Sequence, residues 1–534
     1  MNRTLITFSL LVTITVAMAA PRTAFEYHVG VDPKSKYLNV ECLLRTIPDT
    51  LNVLESGRPL QQDEILLKMP VWAPGYYVIM DYPKHLTDFV AYDDQDHILP
   101  WTKVGKNGWR VSSQTARVTY RIFADGHDVA SSRVEDHLAF IAPGGVFMYA
   151  DGFIDDSVSV TLHLPAGWHQ CTVPLREKSG EPFPIPPHKG GDKANAEGVR
   201  TYAAPTYHVL YDSPMLLGNH RVISFTHEGH DYEMAFETPE GIDSTTFVAD
   251  FKALVSATTR LMKDVPYDKY CLIHLGEGQG GLEHQSSQLC YTQGDYRFPR
   301  REDYLRHLSF VSHEYFHLYN VKALRPREFD FSDYDAEVHT PMLWVSEGFT
   351  CYYEVRNLLN AGLLDADYLL AYFSSYIQTI EENEGHHHMS LRQSSYDIWL
   401  NFFNRDANSS DVRISYYDKG PILGLLFDIE LRYHSDGMRG LDHLMRHLYD
   451  RFCKTWMRGF HEEEFWQAAA EVMQDDEALA RLRRYVDTTD PIDYADILGH
   501  AGLALDDNHV LYRLPDITPE QRRIQCLVLE NIRI

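Results

Sequence analysis

Up to about residue 205 the apolar positions come in short runs. Ile65–Met69, Val118–Phe123 and Val158–Leu164 are examples, separated by Gly, Pro and Asp turns with little helical periodicity between them. This pattern predicts a β-sandwich or β-saddle over residues 21–205, with the Pro- and Gly-bearing stretch 173–200 a loop or linker. From 206 to 300 the pattern stays strand-rich. Lys269–Leu275 reads as a buried strand, followed by a glycine-laden turn and an edge strand within GGLEHQSSQLCYT. After 300 the period changes: Leu305, Leu308, Val311, Tyr315 and Leu318 recur at helical spacing. Thr340-Pro341 is a helix start, helical segments continue to about 490, and EENEGHHH (381–388) reads as a loop. A multidomain α+β chain is expected, its N-terminal β domain followed by a β-lobe (206–300) and a mainly helical lobe (301–500).

Composition narrows the class. The chain has 534 residues, 44% hydrophobic and 23% charged, which suits a globular protein of more than one domain. Its formal net charge of -27 speaks against nucleic acid and against an anionic membrane surface as partners. Residues 1–20 have a basic start, an apolar stretch too short to span a bilayer and the small residues Ala17-Met18-Ala19; they read as a cleaved signal peptide. An exported protein without a membrane span, periplasmic or secreted, is expected. The seven scattered cysteines allow disulfides without fixing a pairing. The oligomeric state is not legible, with a monomer favoured.

The chemistry lies at HEYFH, residues 313–317. His313 and His317, four apart on a helix, share one face and can reach one metal ion. Glu314 between them is placed to act as general base on a metal-held water, and neutral imidazoles suit Zn2+, one per chain. Two glutamates compete as third ligand. Glu337 stands at thermolysin-type spacing but precedes the Thr340-Pro341 helix start, whereas Glu347 falls inside the following helix, which holds a ligand more firmly. Glu354, two turns on, can orient a ligand histidine or be an ordinary surface carboxylate. The run His386-His387-His388 reads as a solvated loop rather than a second metal site.

HEYFHLYNVKALRP followed by LWVSEGFTCYYE resembles the glycyl aminopeptidase family, relatives of aminopeptidase N among the thermolysin-like zinc peptidases. The resemblance extends to GQGGLEHQSS (278–287), SLRQSSYDIW (390–399), ISYYDKGPILGLLFDIELR (414–432) and PVWAPGYY (70–77). It implies a thermolysin-like catalytic domain over 206–500. It also implies His313, His317 and Glu347 as zinc ligands and Glu314 as the base. Glu283, beside Gly280 and Gly281, is similar to the glutamate that holds a substrate's free α-amine. Tyr417, with Tyr416 as fallback, is similar to the tyrosine that stabilises an oxyanion. An aminopeptidase acting on peptides with a free N-terminus, with small first residues such as Gly or Ala, is the implied activity. The alternatives are an endopeptidase or other hydrolase on the same site, or a non-catalytic peptide-binding protein. The chain departs from the family pattern at Tyr319 and at ALRP, and residues 501–534 read as an extension too short for the family's usual PDZ domain.

Overall fold

The computed structural model describes residues 23–44, 64–150, 152–178, 198–238, 241–292, 297–330, 334–402, 404 and 406–530. The leader-like residues 1–20 and most of the linker expected over 173–200 lie outside them.

The first unit is built on an eight-stranded sheet. Its strand Thr23–Asp32 lies between Tyr37–Leu44, antiparallel, and Ser157–His163, parallel. Alternation sets the inner face: Val118, Tyr120 and Ile122 of Arg117–Phe123 point inward with Tyr27, Val40 and Cys42. Two four-stranded sheets cover that face, one around Glu64–Lys68 and one around Met215–Gly218. The sheet-rich unit thus includes residues beyond the expected limit at 205.

One segment leaves this unit. Met69 and Tyr82 belong to the N-terminal core, whereas Val71, Trp72 and Tyr77 between them are buried in the core of the helical lobe. Trp72 meets Trp399 edge to face at 5.2 Å between ring centroids.

A five-stranded sheet follows, in the order Arg221–His227, His230–Phe236, Lys269–Glu277, Ser287–Thr292, Gly281–His284. Gly281–His284 is therefore the edge strand, as GGLEH predicts, and Ser287–Thr292 is interior. The strand-only reading of 206–300 is corrected by two helices, the short Tyr207–Tyr211 and the long Ser244–Met262. The apolar face of Ser244–Met262, with Phe247, Phe251, Leu254, Val255, Thr258, Leu261 and Met262, has a clear 3.6-residue period that the β-branched Thr and Val residues obscured. The helix connects the parallel strands His230–Phe236 and Lys269–Glu277, a crossover that adjacent parallel strands require.

The helical lobe gathers around Tyr416–Tyr433, a helix buried on most of its surface and packed against Phe349–Asn360 and Ala366–Glu381. Leu503, Leu511, Ile524 and Val528 share the same core, so residues after 500 pack as part of this lobe. The buried Arg356 donates to the carbonyl oxygens of Leu527 and Val528 at the C-terminal end of the helix Pro519–Leu529. EENEGHHH is not wholly a loop: Glu381 ends a helix and Glu384–His387 forms a 3-10 turn. All seven cysteines are free thiols. Among the described residues no helix is long and apolar enough to cross a membrane. The architecture is mixed α+β, a sheet-rich N-terminal unit followed by a mainly helical one.

Candidate active site

The helix Arg301–Phe316 buries Leu305, Leu308, Val311 and Tyr315 in the helical core. Its other face, with Phe310, His313, Glu314 and then His317, lines a cavity of about 810 Å³ between the five-stranded sheet and the helical lobe. The histidines are not left in solvent: His313 and His317 are both buried.

The helix after Thr340-Pro341 brings the third donor. Met342 donates its amide N–H to Thr340 Oγ1, and the chain then makes a π-helical turn, Trp344–Gly348, before Phe349–Asn360 continues as α-helix. Such turns often mark functional sites, and this one carries Glu347 at 2% exposure. His317 Nε2 lies 3.0 Å from His313 Nε2 and 3.1 Å from Glu347 Oε2. His313 Nε2 is 3.6 Å from the same oxygen. Glu337 stands elsewhere, half-exposed and bonded to His339.

Hydrogen bonds to the far ring nitrogens decide what this triad can hold. His317 Nδ1 is 2.8 Å from the Asn320 carbonyl oxygen, which only accepts, and His313 Nδ1 is 2.9 Å from Glu354 Oε2. Both Nδ1 atoms therefore carry a proton, which leaves the two Nε2 atoms, beside each other and beside a carboxylate, as the nitrogens that would face a metal. Three buried ligand atoms gathered within 4.8 Å of one another suit a metal cation. Two nitrogens and one oxygen, with both histidines oriented from behind, fit a zinc ion with a position left open.

Asn320 and Thr350 are supporting residues that the sequence reading missed. Asn320 Nδ2 donates to the carbonyls of Val345 and Ser346, tying the end of the HEYFH helix to the turn that bears Glu347. Thr350 Oγ1 donates to the Ser346 carbonyl and lies within 3.4 Å of His317 Nδ1. Position supplies the only sequence signal: Asn320 is three residues past His317, and Thr350 three past Glu347.

Glu314 is buried, and its Oε2 finds no hydrogen-bond partner. Burial pushes its carboxyl up to about 8, with His313 and His317 opposing and the charges of Glu283 and Glu347 adding to the rise. A Cβ on Gly281 would stand 2.3 Å from Glu314 Oε1, so only glycine lets the edge strand lie this close. Gly280 also lines the cavity, at a φ of 95° that favours glycine.

Glu283 points into the cavity from the edge strand, 4% exposed. Glu283, Glu314 and His317 bring ligand atoms within 4.8 Å of one another. Gly75, on the segment inserted from the N-terminal unit, lies over Glu283, since a Cβ there would meet its carboxylate oxygens at 2.6 and 2.7 Å. Tyr417 lines the cavity from the first turn of Tyr416–Tyr433, where Ser415 caps its amide, with its ring 6.4 Å from that of His313. Burial raises the Tyr417 hydroxyl well above its ordinary range, which keeps it a donor. Tyr416 is buried and does not line the cavity, though its hydroxyl feels the charges of Glu347 and Glu283. The structure thus brings His313, Glu314, His317, Glu347, Glu354, Glu283, Gly280, Gly281 and Tyr417 together. His386 and His387 stand apart, and every cluster of three metal-ligating side chains found among the described residues lies in this one site.

A buried His-His-Glu triad, a carboxylate between the histidines and an edge strand along the cleft define a metallopeptidase. The profile of the Peptidase M61 N-terminal domain matches residues 26–219 and that of the M61 glycyl aminopeptidase matches residues 306–423. The chain belongs to the M61 glycyl aminopeptidase family. Its fold is shared with an aminopeptidase N family protein from Idiomarina loihiensis, at TM-score 0.80 and 24% identity over 90% of this chain and 79% of that one. An M1 zinc metallopeptidase from Deinococcus radiodurans aligns at TM-score 0.54 and 13% identity, covering 88% of this chain and 94% of that one. A mutant of that enzyme bound to a Tyr-Ser-Ala substrate aligns at TM-score 0.51 and 14% identity, over 88% and 94%. No curated protein sequence matches the chain.

Proposed function

We propose that this protein is a zinc aminopeptidase that removes the first residue from peptides with a free N-terminus. The observation that carries the reading is Glu283. It is a buried carboxylate inside the cavity, beside Glu314 and His317, to which the described residues supply neither a hydrogen bond nor an ion pair. Leaving such a charge unmatched is costly, so a cation from the ligand is the natural complement. A peptide's α-ammonium supplies it.

His313, His317 and Glu347 hold the metal, with Glu354 and the Asn320 carbonyl fixing the two imidazoles. Zinc so held supplies Lewis acidity toward a carbonyl oxygen and toward water. Glu283 pairs with the α-ammonium and sets the register, so that the first peptide carbonyl faces Glu314. The edge strand offers backbone groups along which an extended chain can lie. Glu314 takes a proton as water oxygen bonds to the carbonyl carbon, and returns it to the nitrogen when the C–N bond breaks. The Tyr417 hydroxyl donates to the oxyanion that develops. The family's description supports glycine as first residue, and we extend this to alanine as the next smallest. The leader-like residues 1–20 support export to the periplasm or outside the cell, and we expect a monomer.

The test uses glycine arylamide, its N-acetylated form and metal analysis. Zinc near one per chain, cleavage restricted to the free amine and loss of activity in Glu314→Gln are expected. Equal cleavage of the acetylated form would make the protein an endopeptidase or other hydrolase. Full activity in Glu314→Gln would remove the proposed base.

A further inference from the structure

Two contacts fix the direction of the edge strand against the HEYFH helix. A Cβ on Gly281 would meet Glu314 Oε1 at 2.3 Å and Phe310 Cζ at 2.6 Å. Two residues on, Glu283 has a carboxylate oxygen within 4.8 Å of ligand atoms of Glu314 and His317. The strand Gly281–His284 therefore runs beside the helix in the same direction, from Phe310 toward His317. On the aminopeptidase reading, a peptide's amine sits at Glu283. A peptide extended along this edge then carries its later residues past Gly281 and Phe310, toward the start of the helix.

On that side the helix supplies Ser309, Arg306 and Asp303 to the cavity, each about one turn further from His313. The lining is otherwise acidic. Asp128, Glu283, Asp303, Glu314, Glu347 and Glu354 belong to it, and among the described residues its single Lys or Arg side chain is Arg306. A peptide also ends in a carboxylate, which such a lining repels everywhere except at this arginine.

Arg306 has little else to hold. Its side chain is 70% exposed, and among the described residues its ion pair is with Asp303 at 3.8 Å, beyond hydrogen-bond reach. Asp303 is already gripped by Arg300, Nε to Oδ2 at 2.8 Å and Nη2 to Oδ1 at 2.6 Å. The Arg306 guanidinium thus keeps its donors for another carboxylate. Arg306 precedes Glu314 by eight residues, about 12 Å along the helix, which is the reach of three to four extended residues.

We propose that Arg306 receives the C-terminal carboxylate of a short peptide, so that chains of four to five residues are the preferred substrates. Glu283 takes the amine, Arg306 takes the carboxylate, and the distance between them sets the length. A dipeptide's carboxylate stops short of Arg306, among the acids around Glu314, and the carboxylate of a much longer chain passes it.

The test compares Gly-Ala-Ala-Ala as free acid and as C-terminal amide. KM for the acid should be at least about threefold lower, and Arg306→Gln should bring the two within about 1.5-fold. Calorimetric binding of both peptides to Glu314→Gln, with and without Arg306→Gln, should show the same preference and the same loss without turnover. In the parent, kcat/KM should be higher for Gly-Ala-Ala-Ala than for Gly-Ala or for an eight-residue Gly-Ala repeat. Equal KM for acid and amide in the parent overturns the proposal, as does a preference that survives Arg306→Gln. The N-acetylated tetrapeptide separates this proposal from the reading it rests on. If it is cut as fast as the free-amine form, the aminopeptidase reading falls. If the free amine is required but acid and amide are cut alike, only the role of Arg306 falls.

Discussion

A Cβ placed on Gly348 would stand 2.4 Å from the Cα of Gly420, and one placed on Gly420 would stand 2.5 Å from the Cα of Gly348. Two helical segments cross there with no side chain between them. One carries Glu347 immediately before its glycine, and the other carries Tyr417 three residues before its own. The contact sets how far the metal triad stands from the tyrosine.

Gly348→Ala should therefore do harm in two ways. Forcing a methyl group into backbone contact costs about 1–3 kcal/mol, occasionally more. The same shift moves Glu347 relative to His313 and His317, so zinc retention and kcat should fall together. Unfolding by denaturant together with metal analysis checks this. A variant as stable and as active as the parent means that the crossing is looser than described.

The third ligand can be tested by removal. Glu347→Ala should lose its zinc on dialysis, whereas Glu337→Ala, changed at a half-exposed residue bonded to His339, should keep it. Glu354→Gln should fall between, with metal affinity lowered about 10–100-fold, because it disturbs how His313 is held without removing a ligand. Zinc titrations of the three variants rank them. Metal loss in Glu337→Ala with retention in Glu347→Ala would reverse the assignment.

The neighbouring tyrosines make a matched pair. Tyr417→Phe removes a donor facing the cavity, and kcat should drop about 10²–10³-fold with KM changed little. Tyr416→Phe, altered at a buried ring that does not line the cavity, should change kcat by less than about tenfold. Steady-state kinetics on glycine arylamide decides. Equal losses would show that the hydroxyl of Tyr417 has no special part.

Much of the site was legible because its signals are local. Four-residue spacing puts His313 and His317 on one helix face, and Thr340-Pro341 starts the helix that bears Glu347. A glycine-laden turn marks the edge strand that bears Glu283, while the part given to Glu283 came from the family resemblance. Signals failed where local chemistry points two ways or where contacts are remote. Thr245, Thr246, Thr258 and Thr259 with Val248 and Val255 gave Ser244–Met262 a strand-like composition, and packing of Phe247, Phe251 and Leu254 overrode it. Asn320 serves as a cross-brace only because the fold returns Val345 and Ser346 to it. Nothing in PVWAPGYY tells that Gly75 will lie over Glu283.

The inserted segment 70–77 carries a last consequence. Val71, Trp72 and Tyr77 are anchored in the helical lobe, while the chain on either side belongs to the N-terminal core. The two halves cannot hinge apart at this end without drawing a tryptophan out of a packed interior and exposing its large apolar surface to water. Gly75 on this segment lies over Glu283, so the N-terminal unit covers that part of the cavity. On the proposed aminopeptidase reading, a peptide entering amine first would end its advance against this segment. On this view the enzyme measures the start of a chain by depth of entry, and the N-terminal domain is the stop against which it measures.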